Sequence, residues 1–121
     1  MIGLGIDAVE IDRFRRVLER RPGLAGRLFT DAERAYGNRF SDPAPRLAAR
    51  FAAKEAAMKA LGVGLGAFAF HDVEVVRAAS GAPSLRVSGA AAVLADERGV
   101  TSFLVSITHT DTTAEAIVVS V

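Results

Sequence analysis

The segment from Arg46 to Gly62 constrains the fold most, because it predicts a long helix that carries charged residues beside its apolar stripe. At roughly 100° per residue, the stripe is formed by Leu47, Phe51, Met58 and Leu61. Glu55 and Lys59 lie along one edge of this stripe, one turn apart. Taken alone, such a pair is more often an ordinary ion pair on a solvated surface. An acid and a base at the rim of a buried face are also a place for chemistry.

Length and composition set the class of protein. The 121 residues fit a single domain spanning 1–121, and half of them are hydrophobic without forming a run long enough to cross a membrane. The chain has no cysteine, which excludes disulfides, thiolate zinc sites and cysteine nucleophiles. The first residues also lack the basic start and cleavage site of a signal peptide. We therefore expect a cytoplasmic protein.

The order of predicted elements indicates an α+β fold. Alternation at 2–7 predicts a strand, helical spacing predicts a helix from Ile11 to Leu18, and Thr30–Glu33 has the form of a capping box that opens a second short helix. After the long helix come two strands, an alanine-rich helix from Ser88 to Gly99, and two more strands. These four strands are predicted at 72–77, 84–87, 102–108 and 114–121. Their short links favour antiparallel pairing, so we predict an antiparallel sheet packed with the long central helix and the shorter ones.

Two glycine-rich segments resemble nucleotide-binding loops without meeting their requirements. The segment Gly3–Ala8 matches the glycine spacing of a dinucleotide fingerprint, but only two residues precede it and it is itself the predicted strand. The segment Gly62–Gly66 lacks the Lys-Ser/Thr ending of a phosphate loop, so its default role is to end the long helix. No HExxH or GxSxG pattern is present.

Asp7 and Glu55 are the candidate metal ligands. Asp7 ends the predicted first strand, where it serves either as a cap for the following helix or as a ligand for a hard divalent cation. Two carboxylates suffice for magnesium if water and a substrate phosphate complete the shell. Of the two histidines, we expect His71 to have no chemical role, whereas His109 lies where a strand enters a turn.

The net charge of +1 is too small to indicate general affinity for nucleic acid, but its distribution is uneven. Arginines crowd the first predicted helix, and Arg13, Arg16 and Arg20 share one of its faces. This face is either ordinarily solvated or receives an acidic partner. Nucleic-acid binding is the weaker alternative, because the segment lacks interleaved aromatic residues.

Four segments, in this order, resemble the holo-acyl-carrier-protein synthase family of phosphopantetheinyl transferases. They are Gly5–Ile11, Leu28–Glu33, Arg50–Ala56 with Lys59–Gly62, and Val105–Thr110. The resemblance spans nearly the whole chain, and its most specific string is Arg50-Phe-Ala-Ala-Lys-Glu-Ala56. The chain departs from the family at Gly81-Ala-Pro83, where a basic residue commonly stands between glycine and proline.

The resemblance implies transfer of 4′-phosphopantetheine from coenzyme A to a serine of an apo acyl carrier protein, in support of fatty acid biosynthesis. It implies magnesium as cofactor on Asp7 and Glu55, catalytic roles for Glu55 and Lys59, and a supporting role for Lys54. It implies that the coenzyme A contacts are Arg50, Gly62, Pro83, His109 and Thr110. The carrier would bind Arg13, to which the shared helix face adds Arg16 and Arg20. It also implies a homotrimer with active sites between subunits. The alternative without catalysis is a small oligomeric ligand-binding module in which Glu55 and Lys59 are only structural.

Overall fold

The computed structural model describes all 121 residues and contains five helices and five strands. The helices are α1 (Ile11–Arg20), α2 (Leu24–Leu28), α3 (Asp31–Gly37), α4 (Ala44–Ala60) and α5 (Gly89–Glu97). The strands are β1 (Gly3–Glu10), β2 (Val73–Arg77), β3 (Pro83–Val87), β4 (Phe103–His109) and β5 (Thr113–Ser120). The predicted α+β class is confirmed, whereas the five-residue helix α2 was not predicted from the sequence.

The strands form two antiparallel sheets rather than the single sheet we predicted. One sheet has the order β1-β5-β4, and the other contains only β2 and β3. In the larger sheet Gly3 lies opposite Ser120 and Asp7 opposite Ala116, while His109 of β4 lies opposite Ala114. The antiparallel pairing expected from the short links is confirmed for both hairpins.

Helix α4 is buried around most of its circumference, so the stripe predicted from its sequence is too narrow. Leu47, Met58 and Leu61 are buried as expected, Phe51 is partly buried, and all of the alanines between Leu47 and Leu61 are buried. Ala52, Ala53, Ala56 and Ala57 are completely inaccessible. Alanine has the smallest side chain compatible with a strong helix, which lets neighbouring elements approach the helix axis closely. Gly62 has a φ of 73°, which confirms the left-handed helix end predicted there.

The glycines of β1 explain why this strand lies directly on α4. A Cβ atom on Gly3 would be 1.9 Å from the carbonyl oxygen of Ala60, and one on Gly5 would be 1.9 Å from that of Ala56. The glycine side of the strand therefore faces the helix, and the alternating residues Ile2, Leu4 and Ile6 face outward and are exposed. Our expectation of a strand is correct, but the apolar side chains of Ile2, Leu4 and Ile6 do not enter the core.

A buried ion pair ties α3 to α4 and β2. Lys54 Nζ lies 2.7 Å from Glu33 Oε1, both side chains are fully buried, and the ammonium also donates to the carbonyl of Val73 at 2.6 Å. Glu33 closes the predicted capping box by accepting from Thr30 N, and its second oxygen accepts from Val75 N at 2.9 Å. Burial lowers the pKa of Lys54, which the neighbouring Glu33 opposes. Each charge is paired and hydrogen-bonded, as burial requires.

Candidate active site

Asp7 lies within β1 rather than at its end, because the strand continues to Glu10. Glu10, not Asp7, occupies the N-cap position of α1, and it makes no side-chain cap. The structure therefore removes the capping role considered for Asp7. Its carboxylate, 20% exposed, lies beside α4 instead.

Lys59 is paired with Asp7 rather than with Glu55. Its ammonium donates to the carbonyl oxygen of Ile6 at 2.8 Å and lies 3.5 Å from Asp7 Oδ1. No salt bridge joins Lys59 to Glu55. The ion pair within α4, which was the structural alternative for these two residues, is not formed. A contact between α4 and β1 is formed instead, and it brings an ammonium group to the carboxylates.

The two carboxylates share an environment that resists their ionisation. Burial raises the pKa of Asp7 above its ordinary value of 3.8, although the positive charge of Lys59 opposes this. Burial also raises the pKa of Glu55 above 4.5, and the negative charge of Asp7 raises it further. Two like charges held in a partly desolvated place are stabilised by a cation between them.

The donor set fits magnesium better than a metal that needs an all-protein cage. No group of three or more histidine, cysteine, aspartate or glutamate side chains is placed to hold a metal ion. Magnesium retains several waters and commonly binds to one or two carboxylates together with substrate phosphates. Asp7 and Glu55 fit that pattern.

An apolar groove of about 640 Å³ opens beside these carboxylates. Asp7, Glu55 and Arg13 lie on its lining, and Arg13 comes from α1. The apolar part of the lining consists of residues from α1, α2, α4 and the loops, chiefly Phe14, Val17, Leu24, Leu28, Phe51, Leu65 and Phe70. Arg16 and Arg20 are exposed further along α1. The groove therefore connects the carboxylate pair to the arginine-bearing helix.

Three of the residues assigned to coenzyme A by resemblance lie together in a second cavity. Arg50, Pro83 and His109 line a space of about 300 Å³, which the carboxylate pair does not line. Thr110 follows His109, and its hydroxyl accepts from the backbone N–H groups of Thr112 and Thr113.

Gly62 is not brought to this second cavity, because it follows the far end of α4. There Arg98 donates to the carbonyl of Leu61, the residue that ends the helix. The residues assigned to coenzyme A by resemblance therefore do not all line one cavity within a single chain.

Sequence reasoning missed three other residues of the second cavity, namely Tyr36, Arg46 and Arg77. Tyr36 is on α3, Arg46 on α4 and Arg77 at the end of β2, so they meet only through tertiary packing. Nothing in their local sequence marks them. The buried ion pair of Lys54 with Glu33 was also missed, and the sequence signal nearest to it is the capping box, which fixes Glu33 in the first turn of α3.

No helix combines the length and the apolar character that crossing a bilayer requires. His71 lies in a single turn of 3₁₀ helix before β2, where its Nε2 is 2.7 Å from the carbonyl oxygen of Gly26.

Comparison with protein families gives a match over residues 3–116 to the model described as the 4′-phosphopantetheinyl transferase superfamily. Two relatives described as holo-[acyl-carrier-protein] synthase are similar over nearly their whole length. The one from Streptomyces avermitilis is 51% identical over 120 residues, covering 99% of this chain and 97% of the relative. The one from Clavibacter michiganensis is 50% identical over 118 residues, covering 98% and 93%.

Two solved structures share the fold closely. The crystal structure of holo-[acyl-carrier-protein] synthase from Neisseria meningitidis has a TM-score of 0.90 and 32% identity, covering 99% of this chain and 98% of that one. The Helicobacter pylori enzyme of the same name, crystallised in complex with coenzyme A, has a TM-score of 0.86 and 30% identity, covering 98% and 99%.

Proposed function

The chain belongs to the 4′-phosphopantetheinyl transferase superfamily, and we propose how its residues carry out the transfer. It is a holo-acyl-carrier-protein synthase: it moves 4′-phosphopantetheine from coenzyme A to a serine of an apo acyl carrier protein and releases adenosine 3′,5′-bisphosphate. The observation that carries the mechanism is the meeting of Asp7, Glu55 and Lys59 from β1 and α4 beside one groove. We place this reaction in the cytoplasm, in support of fatty acid biosynthesis.

Asp7 and Glu55 are the proposed magnesium ligands. A magnesium ion held by these two carboxylates would supply positive charge that offsets the charge of the reacting phosphate groups. The raised pKa of Glu55 supports this assignment, because burial and then the negative charge of Asp7 raise it, and a cation bound there would offset both.

The remaining chemistry needs a base and a stabilised leaving group. The carrier serine oxygen attacks the phosphorus next to the pantetheine arm, and the bond from that phosphorus to the oxygen of adenosine 3′,5′-bisphosphate breaks. Glu55, directly or through water, accepts the serine proton. The ammonium of Lys59 stabilises the negative charge that develops on the leaving phosphate.

The acceptor serine belongs to the carrier, so this chain needs no nucleophile of its own. We propose that the carrier docks along α1, where Arg13 adjoins the groove and Arg16 and Arg20 extend the same basic face. A basic face opposite an acidic carrier speeds encounter between the two proteins.

We further propose a homotrimer with active sites between subunits. The outer face of the β1-β5-β4 sheet supports this, because Leu4, Ile6 and Leu104 on it are 53%, 62% and 63% exposed. A contiguous apolar face of this kind is typical of a surface covered by a partner. The cavity lined by Arg50 does not include the carboxylate pair of the same chain, and this also supports the trimer. In a trimer, the Arg50 cavity of one subunit could lie next to the carboxylate pair of its neighbour.

One experiment tests the proposed function directly. The protein is incubated with coenzyme A, magnesium and an apo carrier, and the carrier is weighed by mass spectrometry. A mass gain of one phosphopantetheine that disappears when magnesium is chelated is the expected result. Binding of coenzyme A without any carrier modification would instead identify a ligand-binding module.

A further inference from the structure

The last turn of α4 carries Lys59 and ends in carbonyl groups that the helix cannot satisfy by itself. The carbonyl of Lys59 accepts from Gly62 N at 3.0 Å, so the backbone alone satisfies it. No backbone N–H donates to the carbonyl of Ala60 or to that of Leu61. The last carbonyls of a helix lack partners within it, and a carbonyl left without one away from water is costly. These two groups therefore need donors from elsewhere in the fold.

Ser120, the last residue of β5, provides the donor for Ala60. Its hydroxyl donates to the Ala60 carbonyl at 3.0 Å, and the residue is fully buried. The backbone carbonyl of Ser120 accepts from the N–H of Ile2, just before β1, at 2.7 Å. Ser120 therefore joins the end of α4 to β1. These are the same two elements that the contact of Lys59 with Asp7 spans.

Arg98, at the C-cap of α5, provides the donor for Leu61. Its guanidinium donates to the Leu61 carbonyl and takes part in no salt bridge. A cation at the carboxyl end of a helix also offsets the partial negative charge of that end. A Cβ atom on Gly62 would lie 3.0 Å from the guanidinium, so glycine at this position leaves room for the contact.

The position of the Lys59 ammonium depends on this turn. The ammonium lies 2.8 Å from the carbonyl oxygen of Ile6 and 3.5 Å from Asp7 Oδ1, so a small displacement would break the second contact. The side chain is 53% exposed, which means that packing does not fix it. Its location therefore follows the helix backbone from which it extends. A displacement of about 1 Å at an active site can lower a rate by about 100-fold.

We propose that Ser120 and Arg98 are positioning residues for Lys59. They bind to the carbonyls of the two residues that follow Lys59, which holds the last turn of α4 against β1 and fixes the ammonium beside Asp7. This role rests on the proposed function, in which the ammonium stabilises charge on the leaving phosphate. Neither Ser120 nor Arg98 lines the groove beside the carboxylates, so both act on the rate through Lys59.

Substitution of either residue should lower kcat and leave both KM values near those of wild type. For Arg98→Met and Ser120→Ala we expect kcat to fall about tenfold, because the ammonium leaves its place beside the leaving phosphate. The KM values for coenzyme A and for the carrier should stay within about twofold of wild type. Arg98→Lys should lie between methionine and arginine, because it keeps a cation at the helix end. Rates are measured below the melting temperature of every variant.

Thr101→Ala is the matched control for the loss of a hydroxyl. The Thr101 hydroxyl donates to the carbonyl of Val121 at 3.1 Å, one residue beyond Ser120. This hydrogen bond also involves the end of the chain, but its acceptor does not belong to α4. The variant should therefore keep the wild-type kcat.

A double-mutant cycle tests whether Ser120 and Arg98 act through Lys59. Lys59→Met removes the ammonium, so combining it with Arg98→Met or with Ser120→Ala should lower kcat no further. If the losses multiply instead, the two residues affect the rate by another route, and their positioning role is refuted.

NMR of the lysine side chains reports the environment of the ammonium without any substrate. The chain contains only Lys54 and Lys59, so lysine labelled with ¹³C at Cε gives two signals, which Lys59→Met assigns. In Arg98→Met and in Ser120→Ala, the Lys59 signal should move toward its position in Asp7→Ala. The Lys54 signal should stay in place.

The kinetic and NMR measurements separate this proposal from the proposed function. If the Lys59 signal moves in Arg98→Met and Ser120→Ala but Lys59→Met has a normal kcat, the positioning role stands and the catalytic role of Lys59 falls. If Lys59→Met is slow while Arg98→Met and Ser120→Ala keep the wild-type kcat and Lys59 signal, the catalytic role stands and the positioning role falls.

Discussion

The ammonium of Lys59 lies 3.5 Å from Asp7 Oδ1, across the packing interface between α4 and β1. The contact joins residues that are 52 positions apart in the chain. Lys59 also donates to the carbonyl of Ile6, so it is held at the strand by two contacts. This places a positive charge beside the carboxylate pair, in a salt bridge with Asp7 and in none with Glu55.

We predict that Asp7→Ala and Glu55→Gln each abolish most transfer while the protein stays folded. Each variant removes a carboxylate from a site with only two of them. In wild type, magnesium should raise the melting temperature by binding to the folded state, and neither variant should show this shift. Transfer and thermal unfolding are both measured across a magnesium titration.

Glu97→Gln, at the exposed end of α5, is the control for loss of a glutamate charge. It should match wild type in transfer and in the magnesium shift. Wild-type turnover by Glu55→Gln at limiting magnesium would remove the proposed metal site.

The same carboxylates predict how activity depends on pH. Because their pKa values lie above 3.8 and 4.5, the acid limb of the rate profile should lie at higher pH than ordinary carboxyl groups would give. Magnesium binds to the ionised forms, so a higher magnesium concentration should move this limb to lower pH. The rate is measured against pH at two magnesium concentrations. If the acid limb lies at the same pH at both magnesium concentrations, the assignment of Asp7 and Glu55 as magnesium ligands is contradicted.

The raised pKa values of these carboxyl groups also determine how the free energy of unfolding depends on pH. A carboxyl group whose pKa is raised by folding stabilises the folded state below its ordinary pKa, and this contribution is lost as pH rises through the raised value. Without metal, the free energy of unfolding of wild type should therefore fall relative to that of Glu55→Gln over this window.

Much of the fold and half of the site could be predicted because the relevant signals are local. The capping box at Thr30 and the left-handed end of α4 at Gly62 depend on neighbouring residues, and both are confirmed. The outward face of Ile6 could not be predicted from alternation alone. It depends on which side of β1 packs against α4, and the glycines decide that by allowing an approach no Cβ permits.

The missed parts of the site are contacts between distant segments. Glu33 and Lys54 are 21 positions apart and meet inside the protein, and Tyr36 meets Arg77 across 41 positions. Periodicity describes one element at a time, so it cannot show that α3 and β2 place these side chains together. The composition of the second cavity therefore became visible only in the folded chain.

The two lysines of the chain should separate catalysis from stability. Lys59→Met should lower kcat by roughly 100-fold or more if the ammonium stabilises leaving-group charge. Its melting temperature should barely change, because this side chain is 53% exposed and such ion pairs contribute about 1 kcal/mol or less. Transfer assays quenched at fixed times measure kcat, and thermal unfolding measures the melting temperature. A normal kcat would end the catalytic assignment.

Lys54→Met is the matched comparison in the same helix. This lysine is fully buried against Glu33, and removing it leaves an uncompensated carboxylate. We expect a loss of about 3–5 kcal/mol in the free energy of unfolding.

We predict that introducing charge on the exposed outer face of the β1-β5-β4 sheet dissociates the proposed trimer. Ile6→Glu combined with Leu104→Glu should convert a trimer into monomers, because it places carboxylates where apolar side chains would be buried. Sedimentation velocity measures the change, and transfer should fall with it. Val93→Glu is the control, since Val93 is 59% exposed on α5 and lies outside this face. A wild type that sediments as a monomer would refute the trimer.

The last prediction concerns the carrier. Arg13→Glu with Arg16→Glu should strongly raise the KM for the carrier, while affinity for coenzyme A, measured by calorimetry, should barely change. Rim charges mainly speed encounter and are screened by salt. The wild-type rate at low carrier concentration should therefore fall as salt is raised, and the double variant should lose much of that dependence.

Arg15→Gln is the internal control. Arg15 is already paired with Asp12 and, at 2.6 Å, with Asp42, so its charge is largely neutralised within the chain. It should leave the carrier KM close to the wild-type value. Equal weakening of carrier and coenzyme A binding by the double variant would mean that this face of α1 supports the fold instead.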